Sequence, residues 1–232
     1  MIIYFIIYQE ISYDRFHRNF SSIYQVMQYE KEGTRSSLRS EVSFKEADFL
    51  TKNIPEFEAF TIIPSIPAPA LMINDQNINN AGIYSDAGIF KVFSFKLIKG
   101  KTDNVLASVN NIVISEALAA KYYPGQDPLG KVIKAQGVTQ QFYIVTGIMK
   151  DIPVRSSLQF DYIIPFENFL SQNKFNDDIL KGNLLRFYAR LNSNSYPSVV
   201  NQKIMNIKNE PEIKRITENF LFPFSKRQIL IL

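Results

Sequence analysis

Apolar residues cluster in short stretches along this chain, and four of these stretches have the length and composition of β-strands. They are rich in β-branched and aromatic residues, which favour strands. The predicted strands are residues 23–30, 57–63, 185–191 and 220–224. Ile23, Tyr24 and Val26 lie within four residues of one another and support the first assignment.

Helical spacing of apolar residues predicts helices between these strands. The first helix carries Phe44, Ala47, Leu50 and Ile54, and Pro55 ends it. The second is opened by Ser195 and Pro197, and its buried stripe comprises Val200, Ile204 and Ile207. A shorter helix at the start of the chain is capped by Ser12 and carries Tyr13, Phe16 and Phe20 on one face. The polar stretch 33–41 is predicted to be a loop.

The order strand, helix, strand occurs once near each end of the chain. Two such βαβ units whose four strands share one sheet form a split, ferredoxin-like arrangement. Residues 65–157 lie between the units and are rich in predicted strands, with turns at 64–69, 74–80, 100 and 124–130. The fold class is therefore α+β, with a β-rich insert inside a split α/β platform.

Two segments of the insert have distinctive patterns. The stretch FYIVTGIM, residues 142–149, is apolar on both alternating faces, which predicts a strand buried on both sides. The stretch GIFKVFSFKLIKG, residues 88–100, combines a helical turn with a strand. The many aromatic residues of these segments are expected to form core.

Composition is typical of a globular protein. The 232 residues are 46% hydrophobic and 13% aromatic, and 26 basic residues nearly balance 22 acidic ones. The basic residues are scattered, so nucleic-acid binding is not expected. The chain has no cysteine, which excludes disulfides, thiolate nucleophiles and cysteine-based zinc sites.

The first eight residues, MIIYFIIY, are apolar, although a bilayer-spanning helix needs about 20 such residues. They lack the charged region and cleavage site of a signal peptide. Composition alone allows a buried N-terminal strand as well as the end of a membrane helix.

The segment Gly125 to Lys131 satisfies the G-x-x-x-x-G-K part of a phosphate-binding loop. Val132 stands where the magnesium-binding hydroxyl belongs, and Pro128 removes a backbone N–H. The segment also follows a helix and leads into a strand, the reverse of the usual order. A turn is the favoured interpretation.

His17 is the only histidine, so a serine-type triad or histidine metal site would have to use it. We expect instead a surface or interfacial histidine, with Asp14 and Arg15 capping or charging the end of its helix.

Two acidic pairs, Glu56 with Glu58 and Asp177 with Asp178, are expected to be solvated and not a glycosidase pair. The run Lys121-Tyr122-Tyr123 lacks the basic groove that base stacking requires. No catalytic, cofactor-binding or metal-binding residue is predicted, and the chain is not expected to be an enzyme.

Four segments carry a resemblance to a known family. They are SYDRFHRN at 12–19, NIVISEALAAKYYPGQDPLGK at 111–131, FYIVTGIMKDI at 142–152 and LQFDYIIPF at 158–166. Together they resemble the MacB-like periplasmic core domain of FtsX-like ABC transporter permeases, over most of residues 10–224.

The resemblance implies a division of the chain. Residues 1–10 would be the truncated end of a transmembrane helix. Residues 11–64 plus 158–225 would form a porter-like subdomain, and 65–157 a β-rich, sabre-like insert. Residues 226–232 would be a tail of uncertain origin.

The resemblance also implies a function. The chain would be the periplasmic domain of a permease fragment in the bacterial inner membrane, coupling a cytoplasmic ATPase cycle to substrate or partner handling, as in efflux. Expected partners are the ABC ATPase, a second permease copy and a periplasmic or outer-membrane protein.

Two alternatives stay open at this stage. One is a free-standing periplasmic binding or adaptor protein of the same fold. The other is a hydrolase that uses His17. The turns 74–80 and 124–130 are geometric candidates for partner contacts, because exposed loops often carry them.

Overall fold

The structure is a computed structural model, and it describes residues 13–32, 35–74, 76–78, 80–136, 141–173, 176, 179, 182, 184–205 and 217–223. Side chains are described for these residues except 29–32, 35–36 and 217–223. The expectations for residues 1–10 and 226–232, Ile207 and the Asp177–Asp178 pair lie outside the described residues. Within the described residues, no helix has the length and apolarity needed to cross a membrane.

The described strands and helices are listed here in chain order. The strands are β1 Ile23–Glu32, β2 Arg35–Arg39, β3 Phe57–Pro64, β4 Leu71–Ile73, β5 Gln76–Ile78, β6 Gly82–Ser85, β7 Leu97–Lys99, β8 Asn111–Ser115, β9 Val132–Ala135, β10 Phe142–Met149, β11 Tyr162–Pro165, β12 Leu185–Leu191 and β13 Thr217–Pro223. The α-helices are α1 Phe44–Asn53, α2 Ile89–Val92, α3 Glu116–Tyr122, α4 Phe166–Asn173 and α5 Pro197–Met205.

The first sheet has five strands and confirms the split, ferredoxin-like prediction. Its order is β13-β1-β12-β3, with β2 added beside β1, and each of these neighbouring pairs is antiparallel. The two βαβ units therefore interleave, since β1 and β3 from the first unit flank β12 from the second. The register pairs Tyr24 with Pro223, so the start of β1 and the end of β13 lie at the same end of the sheet.

Helix α1 follows from its sequence. Ser43 accepts a hydrogen bond from the Glu46 N–H, and the Glu46 carboxylate accepts one from the Ser43 N–H at 2.7 Å, which completes a capping box. Glu46 is buried, and its other oxygen accepts from the Gln28 amide of β1 at 2.7 Å. The apolar face formed by Ala47 and Leu50 then packs on the first sheet.

The second sheet has eight strands in the order β5-β4-β9-β10-β8-β11-β6, with β7 paired to β10. Its β10–β8 and β11–β6 pairs are parallel. Strand β11 pairs within this sheet, so the sheet extends past residue 157, the expected end of the insert. The division of the chain into subdomains stays a prediction.

The two sheets share their hydrophobic core. One cluster joins Val26, Leu50 and Ile62 to Leu71 and Tyr162, and another joins residues of β1, β3 and β12 to Val113, Met149 and Ile163. Burial of this kind contributes about 25 cal/mol per Å² of apolar surface. The sheets therefore stabilise one another.

Three local predictions are wrong. Residues 13–19 form turns followed by a short 3₁₀ helix at Phe20–Ser22, not an α-helix, because Asp14 adopts a left-handed backbone with φ 58°. Within the predicted loop 33–41, residues 35–39 pair with β1 as β2. Strand β10 is buried on one face only in its first half, where Phe142 is 50% exposed while Tyr143 is fully buried.

Other local predictions are confirmed. Residues 88–100 form the helical turn α2 and then β7, and α5 begins at Pro197 with Val200 and Ile204 buried. The turn expected over 74–80 is shorter, because Gln76–Ile78 already pairs with β4 and Asn74 makes the reversal with φ 49°. Asparagine tolerates this left-handed conformation better than most residues.

Candidate functional site: the junction between the N-terminal segment and the second sheet

The segment 13–18 docks on loops of the second sheet before the chain enters β1. Asp14 is the centre of this contact, and its side chain is buried. Its carboxylate accepts a hydrogen bond from the Ser157 N–H at 2.8 Å and one from the Ser156 hydroxyl at 3.3 Å. Its own N–H donates to the Arg155 carbonyl at 2.8 Å. These bonds join positions more than 140 residues apart in the sequence.

His17 forms the second contact of this junction. Its side chain is 2% exposed, and its Nδ1 accepts a hydrogen bond from the Ser94 N–H at 3.0 Å. Because Nδ1 is an acceptor, neutral His17 carries its proton on Nε2. The ring packs 5.1 Å from Phe93 and 5.2 Å from Phe95, centroid to centroid. Burial lowers the pKa of His17 to about 4.

The expectation of a surface or interfacial histidine is therefore wrong. A ring enclosed by aromatic side chains cannot reach a substrate, so the geometry gives no support to a hydrolase based on His17. Asp14 does not cap a helix either, because it binds the loop at Ser156 and Ser157.

A second junction joins β3 of the first sheet to β6 of the second. Asp86 accepts hydrogen bonds from the Ile62 N–H at 2.9 Å and the Gly88 N–H at 2.6 Å. Beside it, the buried hydroxyls of Thr61 and Ser85 lie 2.9 Å apart. Burial raises the pKa of Asp86 to about 6, against the opposing effect of these hydrogen bonds. Gly88 is required because a Cβ there would lie 1.9 Å from the Phe60 carbonyl oxygen.

A polar cleft of about 360 Å³ opens at the end of the first sheet where β1 begins. Its lining is Asn19, Ser21, Ser22, Tyr24, Glu58, Arg190, Leu191, Asn192, Ser193, Ser195 and Pro197. Arg190 binds both oxygens of Glu58, at 2.9 and 3.2 Å, and donates to the Lys91 carbonyl at 2.6 Å. The charges in this cleft therefore neutralise each other.

One of the two acidic pairs, Glu56 with Glu58, lies in the same region. Glu56 binds Lys203, whose hydrogen bond lowers the pKa of Glu56, and Glu58 binds Arg190. Each carboxylate therefore has its own cationic partner. In the Lys-Tyr-Tyr run, Lys121 lies over the Tyr122 ring at 5.1 Å and Tyr123 is buried.

The segment Gly125 to Lys131 is a turn that uses its own backbone donors. Four of its N–H groups donate within the protein. Gln126 donates to the Tyr123 carbonyl, Lys131 to the Pro128 carbonyl and Gly130 to the Val145 carbonyl, and Leu129 donates to the Asp127 carboxylate. Gly125 and Gly130 adopt φ of 71° and 76°, which glycine favours. A phosphate cradle needs these donors directed at a ligand. Among the described residues, no group of acidic or histidine side chains could hold a metal ion.

Sequence comparison identifies the family. Residues 1–207 match the family described as MacB-like periplasmic core domain. The chain belongs to this family. No curated protein matches the chain. The family comprises the periplasmic domains of ABC-type permeases, which is a class of transporter component and not of enzyme.

Three solved structures share the fold of this MacB-like domain. A domain of a candidate permease from Porphyromonas gingivalis has a TM-score of 0.71 at 20% identity, covering 89% of this chain and 92% of that one. The periplasmic region of MacB from Actinobacillus actinomycetemcomitans has a TM-score of 0.64 at 15% identity, covering 91% and 93%. The extracellular domain of the ABC-type transporter YknZ from Gram-positive bacteria has a TM-score of 0.59 at 14% identity, covering 85% and 99%.

The sequence analysis did not predict that Asp14, His17 and Asp86 join the two sheets. The Asp86-Ala-Gly88 sequence is a turn signature, since aspartate often accepts from the N–H two residues on. It could have indicated the turn but not its partner Ile62. No local signal connects Asp14 to Ser156, because only the tertiary fold brings them together.

Proposed function

We propose that this MacB-like domain is the extracytoplasmic lever of an inner-membrane ABC permease. In this proposal, an ATPase on the other side of the membrane moves the segment before β1, and the domain transmits that motion to a substrate or partner. The observation that supports it best is the double anchoring of residues 13–18. This segment is bound to the second sheet through Asp14 and His17 and leads directly into the first sheet.

The sheet register gives independent support. Tyr24 pairs with Pro223, so the polypeptide enters and leaves the first sheet at one end. This geometry suits a domain inserted between two membrane segments. The shared core and the Asp86 junction then fix the second sheet to the first. A displacement at that end is thereby passed to the whole domain.

The first experiment tests sidedness. The chain has no cysteine, so Val132→Cys, at a site 58% exposed, introduces a single thiol. The chain is expressed within its own reading frame, with any cysteine outside residues 1–232 replaced by serine, and is treated with a membrane-impermeant maleimide after permeabilising the outer membrane only. We expect Val132→Cys to be labelled, and the buried control Val113→Cys to be labelled only after denaturation. Labelling of Val132→Cys only after cell lysis would contradict the proposal.

The second experiment tests transmission. Asp14→Ala removes the acceptor of the junction, whereas Asp103→Ala changes a side chain that is 81% exposed. With the permease reconstituted beside its ATPase, we expect Asp14→Ala to leave basal ATP hydrolysis intact and to reduce its stimulation by the permease about tenfold, through loss of about 1.4 kcal/mol of coupling. Asp14→Asn, which retains one acceptor oxygen, should have an intermediate effect. Equal stimulation in all three variants would contradict a role for this junction.

The same preparations distinguish a membrane-anchored lever from a free-standing periplasmic adaptor protein. Alkaline carbonate extraction of the membranes should leave the lever in the membrane fraction. Release of the intact chain into the soluble fraction would favour the adaptor.

A further inference from the structure

A loop of the second sheet carries an exposed apolar tip and binds the start of the described chain. Val154, at the tip, is 89% exposed, which is unusual for a valine in a folded protein. Arg155 follows it, and Tyr13 and Arg15 flank the Asp14 that binds this loop, all with exposed side chains. We call these four residues, Tyr13, Arg15, Val154 and Arg155, the Val154 surface.

The loop is held in shape by its own hydrogen bonds. The Gln159 amide donates to the carbonyls of Pro153 at 2.8 Å and Ser156 at 2.9 Å, and the Ser156 N–H donates to Pro153 at 3.0 Å. The bonds from Asp14 to residues 155–157 fix the loop beside Tyr13. Val154 is therefore presented outward by an ordered turn and stays exposed in the folded domain.

The Val154 surface carries positive charge. No carboxylate among the described residues lies within ion-pair distance of Arg15 or Arg155. Asp14, next to Arg15, accepts its hydrogen bonds from Ser156 and Ser157, and Asp151, four residues before Arg155, accepts one from the Ala117 N–H at 2.8 Å. An exposed valine and an exposed tyrosine together with two exposed arginines match an anionic lipid interface, where tyrosine lies at headgroup depth and arginine binds phosphate.

Chain length places this surface near a bilayer if the apolar run 1–8 ends in one. Four residues lie between Tyr8 and Tyr13, and the five Cα–Cα steps that join them span about 18 Å at most, even when fully extended. The headgroup region on each side of the hydrocarbon core is about 5–8 Å thick. The surface is therefore within reach of the headgroups on the side where the domain lies.

We propose that the Val154 surface binds the anionic phospholipid headgroups of the bilayer next to the domain, with Val154 and Tyr13 in the interfacial layer and Arg15 and Arg155 on lipid phosphates. This rests on the proposed function, because it needs a membrane at this end of the molecule. The inference adds to the proposed function a direct contact between the lipid surface and a loop of the second sheet.

The chain has no tryptophan, so a single introduced one reports its own site. Val154→Trp places the reporter at the tip, and Val132→Trp places a control on β9. Val132 pairs with Ile144 of β10, and the five residues from there to Met149, at the end that leads to the tip, span about 17 Å. The full 232-residue chain of each variant is mixed with vesicles of phosphatidylglycerol or phosphatidylcholine. Flotation, the emission maximum and iodide quenching are then measured.

We expect the tip reporter of Val154→Trp to shift its emission to the blue and to lose at least threefold in iodide quenching on phosphatidylglycerol, with a smaller change on phosphatidylcholine. The control reporter of Val132→Trp should stay as quenchable as in buffer. Adding Arg15→Gln and Arg155→Gln to the Val154→Trp chain should make its response to the two lipids equal.

Equal quenching of the tip reporter with and without phosphatidylglycerol would overturn the proposal, and so would failure of the chain to float with these vesicles. An equal response of the tip and control reporters would also overturn it, because the contact would then not be specific to this surface. An unchanged lipid preference after both arginine substitutions would refute the role of the arginines. The maleimide experiment tests sidedness independently of lipid binding. If Val132→Cys is labelled from outside but the tip reporter stays fully quenched, the proposed function stands and the lipid-binding inference is refuted.

Discussion

His17 and Asp86 are junction residues whose pKa values shift in opposite directions. Burial lowers the pKa of His17 from 6.5 to about 4 and raises that of Asp86 from 3.8 to about 6. The unfolded chain takes up a proton on His17 more readily, so His17 contributes stability above pH 6.5 that is lost as pH falls toward 4. The folded chain holds the Asp86 proton more tightly, so stability is gained as pH falls from 6 toward 3.8. The two effects oppose each other between pH 4 and 6.

The His17 contribution can be isolated with His17→Phe, which keeps an aromatic ring in the Phe93–Phe95 cluster and removes the titrating group. At pH 7.5 we expect the variant to be less stable, because the Ser94 N–H loses its acceptor, at a cost of about 1–3 kcal/mol. As pH falls from 6.5 toward 4 the difference should shrink or reverse, by up to about 3 kcal/mol. Urea unfolding at a series of pH values measures this. A constant difference across the range would show that His17 does not titrate as its burial requires.

Residue identity alone gave a wrong account of this junction. The spacing of Tyr13, Phe16 and Phe20 matches a helix, but long-range bonds to Ser94 and residues 155–157 hold the segment in turns. These contacts join residues 76 or more positions apart, so no local pattern contains them. For the same reason, the burial of His17 could not be read from its neighbours in sequence.

At the scale of elements, local patterns predicted the first sheet well. The strands 23–30, 57–63 and 185–191 and the two helices between strands form where β-branched stretches and helical spacing placed them. The two segments that were predicted wrongly depend on contacts with other strands. The polar residues 35–39 become β2 because β1 offers a free edge, and Phe142 is exposed because the core contacts only the opposite face of β10 there.

The pairing of β6 with β11 depends on a glycine. Gly82 lies directly across from Tyr162, and a Cβ at residue 82 would lie 1.9 Å from the buried Tyr162 ring, whose hydroxyl donates to the Pro69 carbonyl at 2.8 Å. We expect Gly82→Ala to lower the free energy of unfolding by about 1–3 kcal/mol through overpacking. Gly125→Ala is the control, because its Cβ would meet nothing within 4 Å and only the positive φ costs energy, about 1 kcal/mol.

A double variant identifies the cause. Tyr162→Leu opens space at residue 82, so Gly82→Ala should lower the free energy of unfolding less in that background than in the native chain. Denaturant unfolding of the native chain, the two single variants and the double variant measures this difference as non-additivity. Additive losses would mean that the alanine acts through the backbone and not through the ring.

At the scale of the whole molecule, the shared core makes the two sheets one folding unit. We expect a single cooperative transition in urea, with the same midpoint for Phe57→Trp in the first sheet and Phe142→Trp in the second. Fluorescence of the two variants and far-ultraviolet circular dichroism give three independent curves. Midpoints that differ between the reporters would show that the sheets unfold separately and would weaken the case for a rigid lever.

The sequence predicted the architecture better than the contacts between its parts. The split platform and the strand-rich insert follow from patterns within each segment. The orientation of the insert on the platform depends on Asp14, Asp86 and buried apolar residues. Periodicity identifies such apolar residues as buried but does not show which of them contact each other. The resemblance to the MacB-like family, carried by turn and core residues, indicated the transporter class that no chemical motif could indicate.

The pairing of Tyr24 with Pro223 has an evolutionary consequence. Directly paired residues of an antiparallel ladder lie about 5 Å apart, so the whole module is closed by a gap that a two-residue loop could bridge. Excising residues 24–223 would therefore leave the flanking polypeptide almost in register. A module closed in this way can be inserted into a scaffold protein, or removed from it, with little disturbance of the chain on either side.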